Sequence, residues 1–304
     1  MNNKKIFVSG GGGYIGTRLI EKLVEKGFSV ICFDRFSKGV DAYKDIFDES
    51  VKIIKGDIRT IDEKDIVGAE VVVDLSAKSK NTEGSEKKDT IEINQAGRQR
   101  LANISKKVGV KRYIRISGTS VYGQQNDTVD EDSKANPVTE YSKANFQAEK
   151  DVLKLNNSNF TVVVLRFPSV FGFSSNMRWD QAVNGMVLDA YKNGKIIVKG
   201  KNHRRPFLHI LDAVESCILM LGLQKEKISG QVFNVGNDKL NYKLDNLAKE
   251  IQKNIKKFIN LELQDSLDNQ SHLICFKKIE NQLGFKSKFD IKFGVNEIYQ
   301  YLEK

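Results

Sequence analysis

Short apolar runs alternate with longer stretches of helical periodicity through the first half of the chain. Six runs of apolar and β-branched residues, nearly continuous as in strands covered on both faces, lie at 6–8, 30–33, 51–54, 71–75, 113–116 and 161–165. Between them, apolar residues recur at helical spacing over 14–26, 90–107 and 140–155. Strands that alternate with helices in this way predict an α/β fold with a doubly wound parallel sheet.

The alternation ends after Arg166, and a second kind of region is predicted to begin there. Residues 168–205 mix polar and apolar positions, with helical stretches and no strand alternation. Further on, 230–237 again has the pattern of a strand, while 244–256 and 294–302 have that of helices. We therefore expect a first domain over 1–167 and a smaller region over 168–304, from which segments near 207–214 and 230–237 return to the first domain.

Composition and charge exclude several classes of function. The 304 residues are 40% hydrophobic and 29% charged, as expected for a globular protein with a substantial core. The net charge of +10 comes mostly from scattered lysines, which favours an anionic ligand. No basic stripe with interleaved aromatic residues is present, so no nucleic-acid partner is predicted.

Cysteine and histidine usage adds no metal or disulfide chemistry. Cys32, Cys217 and Cys275 are isolated in the sequence, and the three histidines do not stand at ligand spacing, so no metal is predicted. The chain opens without a charged segment followed by a long apolar run, and no apolar stretch reaches membrane-spanning length. We expect a cytoplasmic protein with no membrane partner.

The most informative motif is the glycine run between the first predicted strand and the first predicted helix. Gly10, Gly13 and Gly16 stand three apart in SGGGGYIG. Glycines there allow a tight turn, close approach of the backbone to a pyrophosphate and close packing of the helix on the strand. The helix N-terminus adds free N–H groups and partial positive charge for the phosphates. This pattern predicts a dinucleotide site.

Two acidic residues after the next strands extend this site. Asp34, which ends the second predicted strand, would accept hydrogen bonds from ribose hydroxyls and repel a 2′-phosphate, so NAD is favoured. Arg35 beside it leaves NADP as the alternative. Asp57, just beyond the third strand, has two interpretations: a partner of the adenine amino group or a helix N-cap.

The glycine spacing resembles the T-G-x-x-G-x-x-G motif of the extended short-chain dehydrogenases/reductases, the family of NAD-dependent sugar-nucleotide epimerases and dehydratases. Further segments resemble that family in the same order along nearly the whole chain. They are GDIR at 56–59, LSAKS after the fourth strand, the helix with Asn94, ISGTSVYG at 116–123, Tyr141 with Glu149, LRFPSVFG at 165–172, RRPFLHILD at 204–212 and the later FNVGN.

This resemblance implies a Rossmann-type domain that holds NAD or NADP and a smaller C-terminal region that binds a nucleoside-diphospho-sugar. It also implies chemistry that begins with hydride transfer at a sugar carbon, and a homodimer through the helices near Asn94 and Tyr141. The implied cofactor-binding residues are Gly10, Gly13, Tyr14, Ile15, Gly16, Asp34, Arg35, Asp57, Ile58, Leu75, Ser76, Ala77, Lys78, Tyr141 and Asn145. The implied substrate-binding residues are Ser169, Arg178, Asn184 and Arg205.

The substrate residues follow from the resemblance one by one. Arg205 resembles the family's diphosphate-binding arginine, and Asn184 resembles an asparagine at the substrate's nucleotide end. Arg178 is either a further phosphate or sugar contact or a solvated surface residue. Ser169 stands where many family members have asparagine, so the sugar contacts are expected to differ. His209 is interpreted as a packed structural histidine rather than a catalyst.

The catalytic group departs from the family at two positions. The family uses a Ser or Thr, a Tyr that moves the proton of the sugar hydroxyl, and a Lys four residues later whose charge lowers the tyrosine pKa. The tyrosine is present as Tyr141, but Asn145 replaces the lysine and Gly118 replaces the hydroxyl residue. Asn145 can bond a ribose hydroxyl but supplies no charge. A tyrosine with a pKa of about 10 is only about one part in a thousand ionised at pH 7.

Three interpretations of this active site stay open. In the first, Lys78 or Lys80 supplies the missing charge, and Thr119 or Ser117 supplies the missing hydroxyl. In the second, the enzyme catalyses a step that needs a weaker base, such as reduction of a keto-sugar. In the third, the protein binds the cofactor without turnover. Lys143 is not a substitute, because two residues along a helix is about 200° of rotation away from Tyr141.

Overall fold

The first structural unit is built on a seven-stranded sheet. The computed structural model describes residues 4–37, 39–40, 43, 49–78, 87–125, 127–266 and 271–304. The strands are β1 Lys5–Ser9, β2 Ser29–Asp34, β3 Val51–Lys55, β4 Val71–Asp74, β5 Arg112–Gly118, β7 Thr161–Phe167 and β11 Gln231–Asn234. Their order in the sheet is β11-β7-β5-β4-β1-β2-β3. The pairs β1–β2, β2–β3, β1–β4 and β4–β5 are parallel.

The strand order places the predicted glycine loop at the switch point of the sheet. Since β1 pairs with β2 on one side and with β4 on the other, the chain direction reverses beside the end of β1, where open α/β sheets bind ligands. Ile6, Phe7 and Val8 are all fully buried. Because successive side chains of a strand point to opposite faces, both faces of this strand are covered. The prediction of a doubly wound α/β sheet is confirmed.

The helices predicted for this unit are present, with a difference around Asn94. The helices are α1 Tyr14–Glu25, α2 Glu63–Ile66, α3 Lys87–Ile91, α4 Arg98–Lys107, α5 Glu140–Leu153 and α8 Lys225–Ile228. The short helices α2 and α8 were not predicted. A single helix was expected over 90–107, but a π-helix, Glu92–Gly97, separates α3 from α4. Such wide turns occur often at functional sites. Hydrophobic periodicity does not reveal this one, because it inserts no polar break.

In the described part of the second unit, three small sheets and four α-helices lie wholly within it. The strands are β6 Thr128–Val129, β8 Ser169–Phe171, β9 Lys195–Lys199, β10 Arg204–His209, β12 Asn241–Lys243, β13 Asn260–Gln264 and β14 Leu273–Ile274. The helices are α6 Ala182–Asn193, α9 Leu244–Asn254, α10 Lys277–Leu283 and α11 Ile291–Leu302. Buried residues of α6, α9, α11 and β9 form its core, among them Val187, Ile196, Leu247 and Val295.

The expectation that 168–205 lacks strands is wrong. β8, β9 and the start of β10 all lie there. In β9, Ile196 and Val198 are buried while Ile197 between them is 47% exposed. The strand therefore alternates in burial, but three successive apolar residues hide that alternation in the sequence.

The two compact units are each made of three segments. The first comprises 1–121, 137–166 and 214–233, and the second comprises 122–136, 167–213 and 234–304. Compared with the predicted domains, residues 122–136 join the second unit, and the segment that returns to the first is 214–233. Helix α7, Ile210–Gly222, carries residues of both units. Within the described part of the chain, no helix has the length and apolar character needed to span a membrane.

Candidate cofactor and active site

The glycine loop connects β1 to α1 through positions where larger residues do not fit. Gly10 has a φ of +71°, and its N–H donates to Phe33 O at 2.8 Å. A Cβ on Gly10 would lie 2.9 Å from the carbonyl carbon of Leu75, and one on Gly16 only 2.3 Å from Gly10 O. The loop thus packs against the end of β4 and the start of α1, as predicted for a phosphate-binding turn.

A cleft of about 140 Å³ opens beside this loop and collects most of the predicted cofactor residues. Its lining is formed by Gly10, Gly13, Phe33, Asp34, Arg35, Gly56, Asp57, Ile58, Leu75, Ser76, Ala77 and Ile93. Tyr14, Ile15 and Gly16 form the first turn of α1, where Tyr14 and Gly16 are buried and Ile15 is half-buried. The cleft is therefore lined by residues from five separate chain segments, four beside strands of the sheet and one on the π-helix.

Asp34 is held at the end of β2 by backbone groups. Its Oδ1 accepts a hydrogen bond from Phe36 N at 2.8 Å. Burial raises the pKa of this carboxyl, and hydrogen bonds from the Phe36 and Gly12 N–H groups oppose that rise. Arg35 beside it is exposed. The carboxylate is thus fixed in orientation within the cleft, as ribose recognition requires.

Asp57 is engaged by a neighbouring arginine. Arg59 donates from Nε at 3.0 Å and from a terminal nitrogen at 2.7 Å, and these bonds lower the pKa of Asp57. The alternative interpretation of Asp57 as a helix N-cap is wrong, because Asp62 caps α2. Asp57 still lines the cleft, so its predicted contact with adenine stays a prediction.

The segment after β4 is held by the π-helix. Asn94 Oδ1 accepts from Lys78 N at 2.7 Å, and Asn94 Nδ2 donates to Lys78 O at 3.0 Å. The Lys78 ammonium pairs with Asp89 at 2.5 Å. Asp89 therefore neutralises the Lys78 charge. This pairing makes Lys78 a weaker candidate for the cation that replaces the missing active-site lysine. Lys80, the other candidate, lies outside the described residues.

Tyr141 lies in the first turn of α5, which begins with a capping box. Thr139 Oγ1 accepts from Ser142 N, and Ser142 Oγ accepts from Thr139 N. Tyr141 is half-buried, while Lys143 is exposed and pairs with Glu140 at 3.3 Å. The cap fixes the start of α5, whose second residue is Tyr141.

Asn145 is 1% exposed and contacts two arginines that sequence reasoning missed. Its Oδ1 accepts from Arg98 at 3.4 Å and from Arg115 at 3.2 Å, and its Nδ2 donates to Tyr141 O at 2.9 Å. Asp74 at the end of β4 pairs with Arg98 Nε at 2.8 Å. A charged residue inside the apolar run YIRIS was the one sequence signal for Arg115.

The hydroxyl candidates lie at the end of β5. Gly118 ends the strand, and Thr119 opens a short 3₁₀-helix, Thr119–Tyr122, where it is 3% exposed. Ser117 Oγ is buried and has no hydrogen-bond partner within the part of the chain that the structure describes. A buried hydroxyl without a partner is uncommon in folded proteins, and a bound ligand would satisfy it.

The predicted substrate residues all lie in the second unit. Asn184 is fully buried and bridges two backbone groups, accepting from Gly172 N at 3.1 Å and donating to Arg178 O at 3.0 Å. The Arg178 guanidinium donates to Asp180 Oδ1 at 3.0 Å. Ser169 opens β8, and Arg205 lies in β10 opposite Tyr242. Their predicted contacts with substrate stay predictions.

His209 fits its interpretation as a structural residue. It is fully buried, and its Nε2 lies 2.9 Å from Glu297 Oε1. Its ring packs against Phe171 and Phe289. Among the described residues, no group of three or more His, Cys, Asp or Glu side chains is placed to hold a metal ion.

A parallel sheet with a glycine loop at its switch point and an acidic residue ending the next strand defines a Rossmann-type dinucleotide-binding protein. The NAD dependent epimerase/dehydratase family matches residues 6–236. The chain therefore belongs to this family of NAD-dependent enzymes, as the glycine spacing and the later motifs indicated.

Individual proteins with related sequences or folds agree with this assignment. A putative UDP-glucose 4-epimerase of Methanocaldococcus jannaschii is 25% identical, over 98% of both chains. A solved structure of UDP-glucuronic acid 4-epimerase from Bacillus cereus, in complex with UDP-glucuronic acid and NAD, has a TM-score of 0.86 at 22% identity, covering 98% of this chain and 99% of that one. The NAD-dependent NDP-hexosamine 5,6-dehydratase TunA has a TM-score of 0.85 at 21% identity, covering 99% and 98%.

Proposed function

We propose that this protein binds NAD and epimerises, dehydrates or otherwise modifies a nucleoside-diphospho-sugar. The observation that carries the proposal is the cleft in which Gly10, Asp34, Asp57 and Leu75 come together, in the same unit as Tyr141. The relatives support the substrate class, since their names refer to UDP-sugars and other nucleotide sugars. Bound NAD would supply reversible hydride transfer at a sugar carbon.

The residues of the cleft fit this cofactor. Gly10 leaves room for close approach of a pyrophosphate, and the first turn of α1 presents N–H groups to it. The Asp34 carboxylate would accept from the ribose hydroxyls and exclude a 2′-phosphate, so NAD is favoured over NADP. Ser117 Oγ is available for a further hydrogen bond.

In the proposed reaction, Tyr141 takes the proton from the sugar hydroxyl or returns it. Ser117 or Thr119 would hold that hydroxyl in place of the residue lost at Gly118. Arg205 and Asn184 would bind the nucleotide diphosphate. Arg178 would add a phosphate or sugar contact, and Ser169 would contribute to sugar contacts that differ from those of the family. We also propose a homodimer and a cytoplasmic location.

Two alternatives are favoured by the burial of Asn145. Because this residue is neutral and its amide is occupied by protein groups, the active site suits a step that needs a weaker base, such as reduction of a keto-sugar. By the same observation, the protein could bind NAD and have a regulatory role without turnover. Product analysis separates these three functions.

Cofactor choice and reaction type can be tested on the purified protein. Calorimetric titration should show that NAD binds more tightly than NADP. The Asp34→Asn variant should bind NAD more weakly and reduce the ratio of the two dissociation constants about tenfold, because one or two charge-assisted hydrogen bonds are lost. Asp189→Asn, at an exposed site on α6, is the matched control and should change neither value. Products from UDP- and dTDP-sugars incubated with NAD would be identified by NMR.

The outcomes of this experiment distinguish the candidates. An epimer or a dehydrated sugar supports the leading proposal, and consumption of NADH with a keto-sugar supports the reductase. NAD binding without any product supports the regulatory protein. Failure to bind NAD or NADP would contradict all three.

A further inference from the structure

The charges beneath α5 do not cancel. Arg98 from α4 and Arg115 from β5 are each 1% exposed or less, and so is Asp74 from β4. Arg98 Nε lies 2.8 Å from Asp74 Oδ2, and Arg115 reaches the same oxygen at 3.7 Å. Among the described residues, Asp74 is the only acidic partner of either arginine, so two positive charges share one negative charge.

Within the part of the chain that the structure describes, no other titratable group in contact removes the remaining charge. The Tyr113 hydroxyl donates to Asp74 Oδ2 at 2.9 Å, and burial, with the Asp74 carboxylate beside it, raises the pKa of that phenol well above its usual value. Tyr113 therefore stays neutral. Ser9, which donates to Asp74 Oδ1, is uncharged. One net positive charge therefore remains buried beneath α5. A buried charge without a partner lowers the stability of the fold.

The same arginines determine how Asn145 is oriented. A guanidinium only donates hydrogen bonds, so the amide oxygen of Asn145 has to face Arg98 and Arg115. The amide nitrogen is then left to donate to Tyr141 O, one helical turn earlier. The Asn145 side chain thus links the two buried guanidinium groups, by hydrogen bonds, to the backbone of Tyr141.

We propose that Arg98 and Arg115 together replace the lysine expected at position 145. They act as positioning residues: they fix the Asn145 amide and hold one net positive charge beneath the active-site helix. This inference rests on the proposed function, since it concerns the bound cofactor. An oxidised nicotinamide carries a positive charge that the reduced form lacks, so the cluster favours binding of NADH over NAD.

The test is the ratio of the two dissociation constants, Kd for NAD divided by Kd for NADH, measured by calorimetry. Arg115→Met removes the charge at similar volume, and Arg115→Lys keeps the charge but loses the planar fork. Arg112→Met is the matched control, because Arg112 lies on the same strand and donates to Leu223 O at 2.8 Å, away from Asn145. Thermal unfolding checks that each variant is folded.

We expect Arg115→Met to lower the ratio about tenfold, the order of magnitude for loss of one unit charge at an effective dielectric constant of about 20. Arg115→Lys should keep most of the ratio and Arg112→Met all of it. A purely structural role would weaken both forms of the cofactor equally and leave the ratio unchanged. If Arg115→Met does not fold, Arg98→Gln is measured in the same way, with the same expected fall.

Two results overturn the inference, and they are distinguishable. In the first, the wild type binds both cofactor forms and the folded Arg115 or Arg98 variant has the same ratio of dissociation constants. This result would contradict the role of the arginines and leave the proposed function unaffected. If the wild type binds neither form, the proposed function fails as well.

Discussion

The carboxamide of Asn145 contacts three groups of the protein and almost no solvent. A lysine in its place would bring a third cation against Arg98 and Arg115, with one carboxylate, Asp74, to neutralise them. Restoring the family residue at this single position is therefore not equivalent to restoring the family's active site.

We expect Asn145→Lys to lower the free energy of unfolding by about 3 kcal/mol, because it leaves a buried charge without a partner. The double variant Asn145→Lys with Arg115→Met should recover much of this loss. Urea unfolding of the wild type, both single variants and the double variant measures the coupling. Asn246→Lys, at an exposed site on α9, is the control and should stay within about 0.5 kcal/mol.

The alternative result has a clear meaning. If Asn145→Lys leaves stability unchanged and raises the reaction rate, the arginines do not oppose a cation there, and the missing lysine charge itself limits the enzyme.

The residues at the centre of this site differ in how far the sequence predicts them. Gly10, Asp34 and Tyr141 stand at fixed positions relative to strands and helices, so local patterns locate them. Arg115 shows only as a charge inside an apolar strand. Its contact with Asn145 and its shared partner Asp74 depend on how α4, α5 and the sheet pack, which local patterns do not encode.

At the scale of elements, the π-helix Glu92–Gly97 determines two contacts of the site. It carries Asn94, which holds the backbone of Lys78, and α4 starts directly after it with Arg98. The wider turn therefore places an amide and a guanidinium on the side that faces β4. The helix was predicted from the sequence and its irregular turn was not, since a π-turn changes hydrogen bonding without changing residue polarity.

Gly97, the last residue of this π-helix, leaves little space for a side chain. A Cβ there would lie 2.8 Å from Ile58 Cγ2 and 3.1 Å from Glu92 O. We expect Gly97→Ala to lower the free energy of unfolding by about 1 to 3 kcal/mol through overpacking, measured by urea unfolding. Gly222→Ala, near the end of α7 with open space around the added carbon, is the control and should be neutral or slightly stabilising. Equal effects in both variants would show that Gly97 is not constrained by Ile58.

At the scale of the whole molecule, the order of strands and helices in the first half was predictable. Each segment there has either the short apolar run of a buried strand or apolar residues at helical spacing. The second half was predicted less well. Its strands are short, and β9 has three successive apolar residues. The sequence of β9 therefore does not indicate which of these side chains are buried. The division into two units of three segments each also depends on packing between distant parts of the chain.

The central claim is that this chain is an active NAD-dependent enzyme on nucleotide sugars in which Tyr141 moves the proton. The most direct test follows nicotinamide absorbance and product formation in single turnovers of the wild type and Tyr141→Phe across a panel of UDP- and dTDP-sugars. Tyr301→Phe on α11 serves as the control. We expect Tyr141→Phe to lower the rate at least about 100-fold, as for loss of a general acid or base, with NAD bound as tightly as before. Equal rates in both proteins would contradict the role of Tyr141, and a wild type that binds NAD but transforms no sugar would contradict the claim of activity.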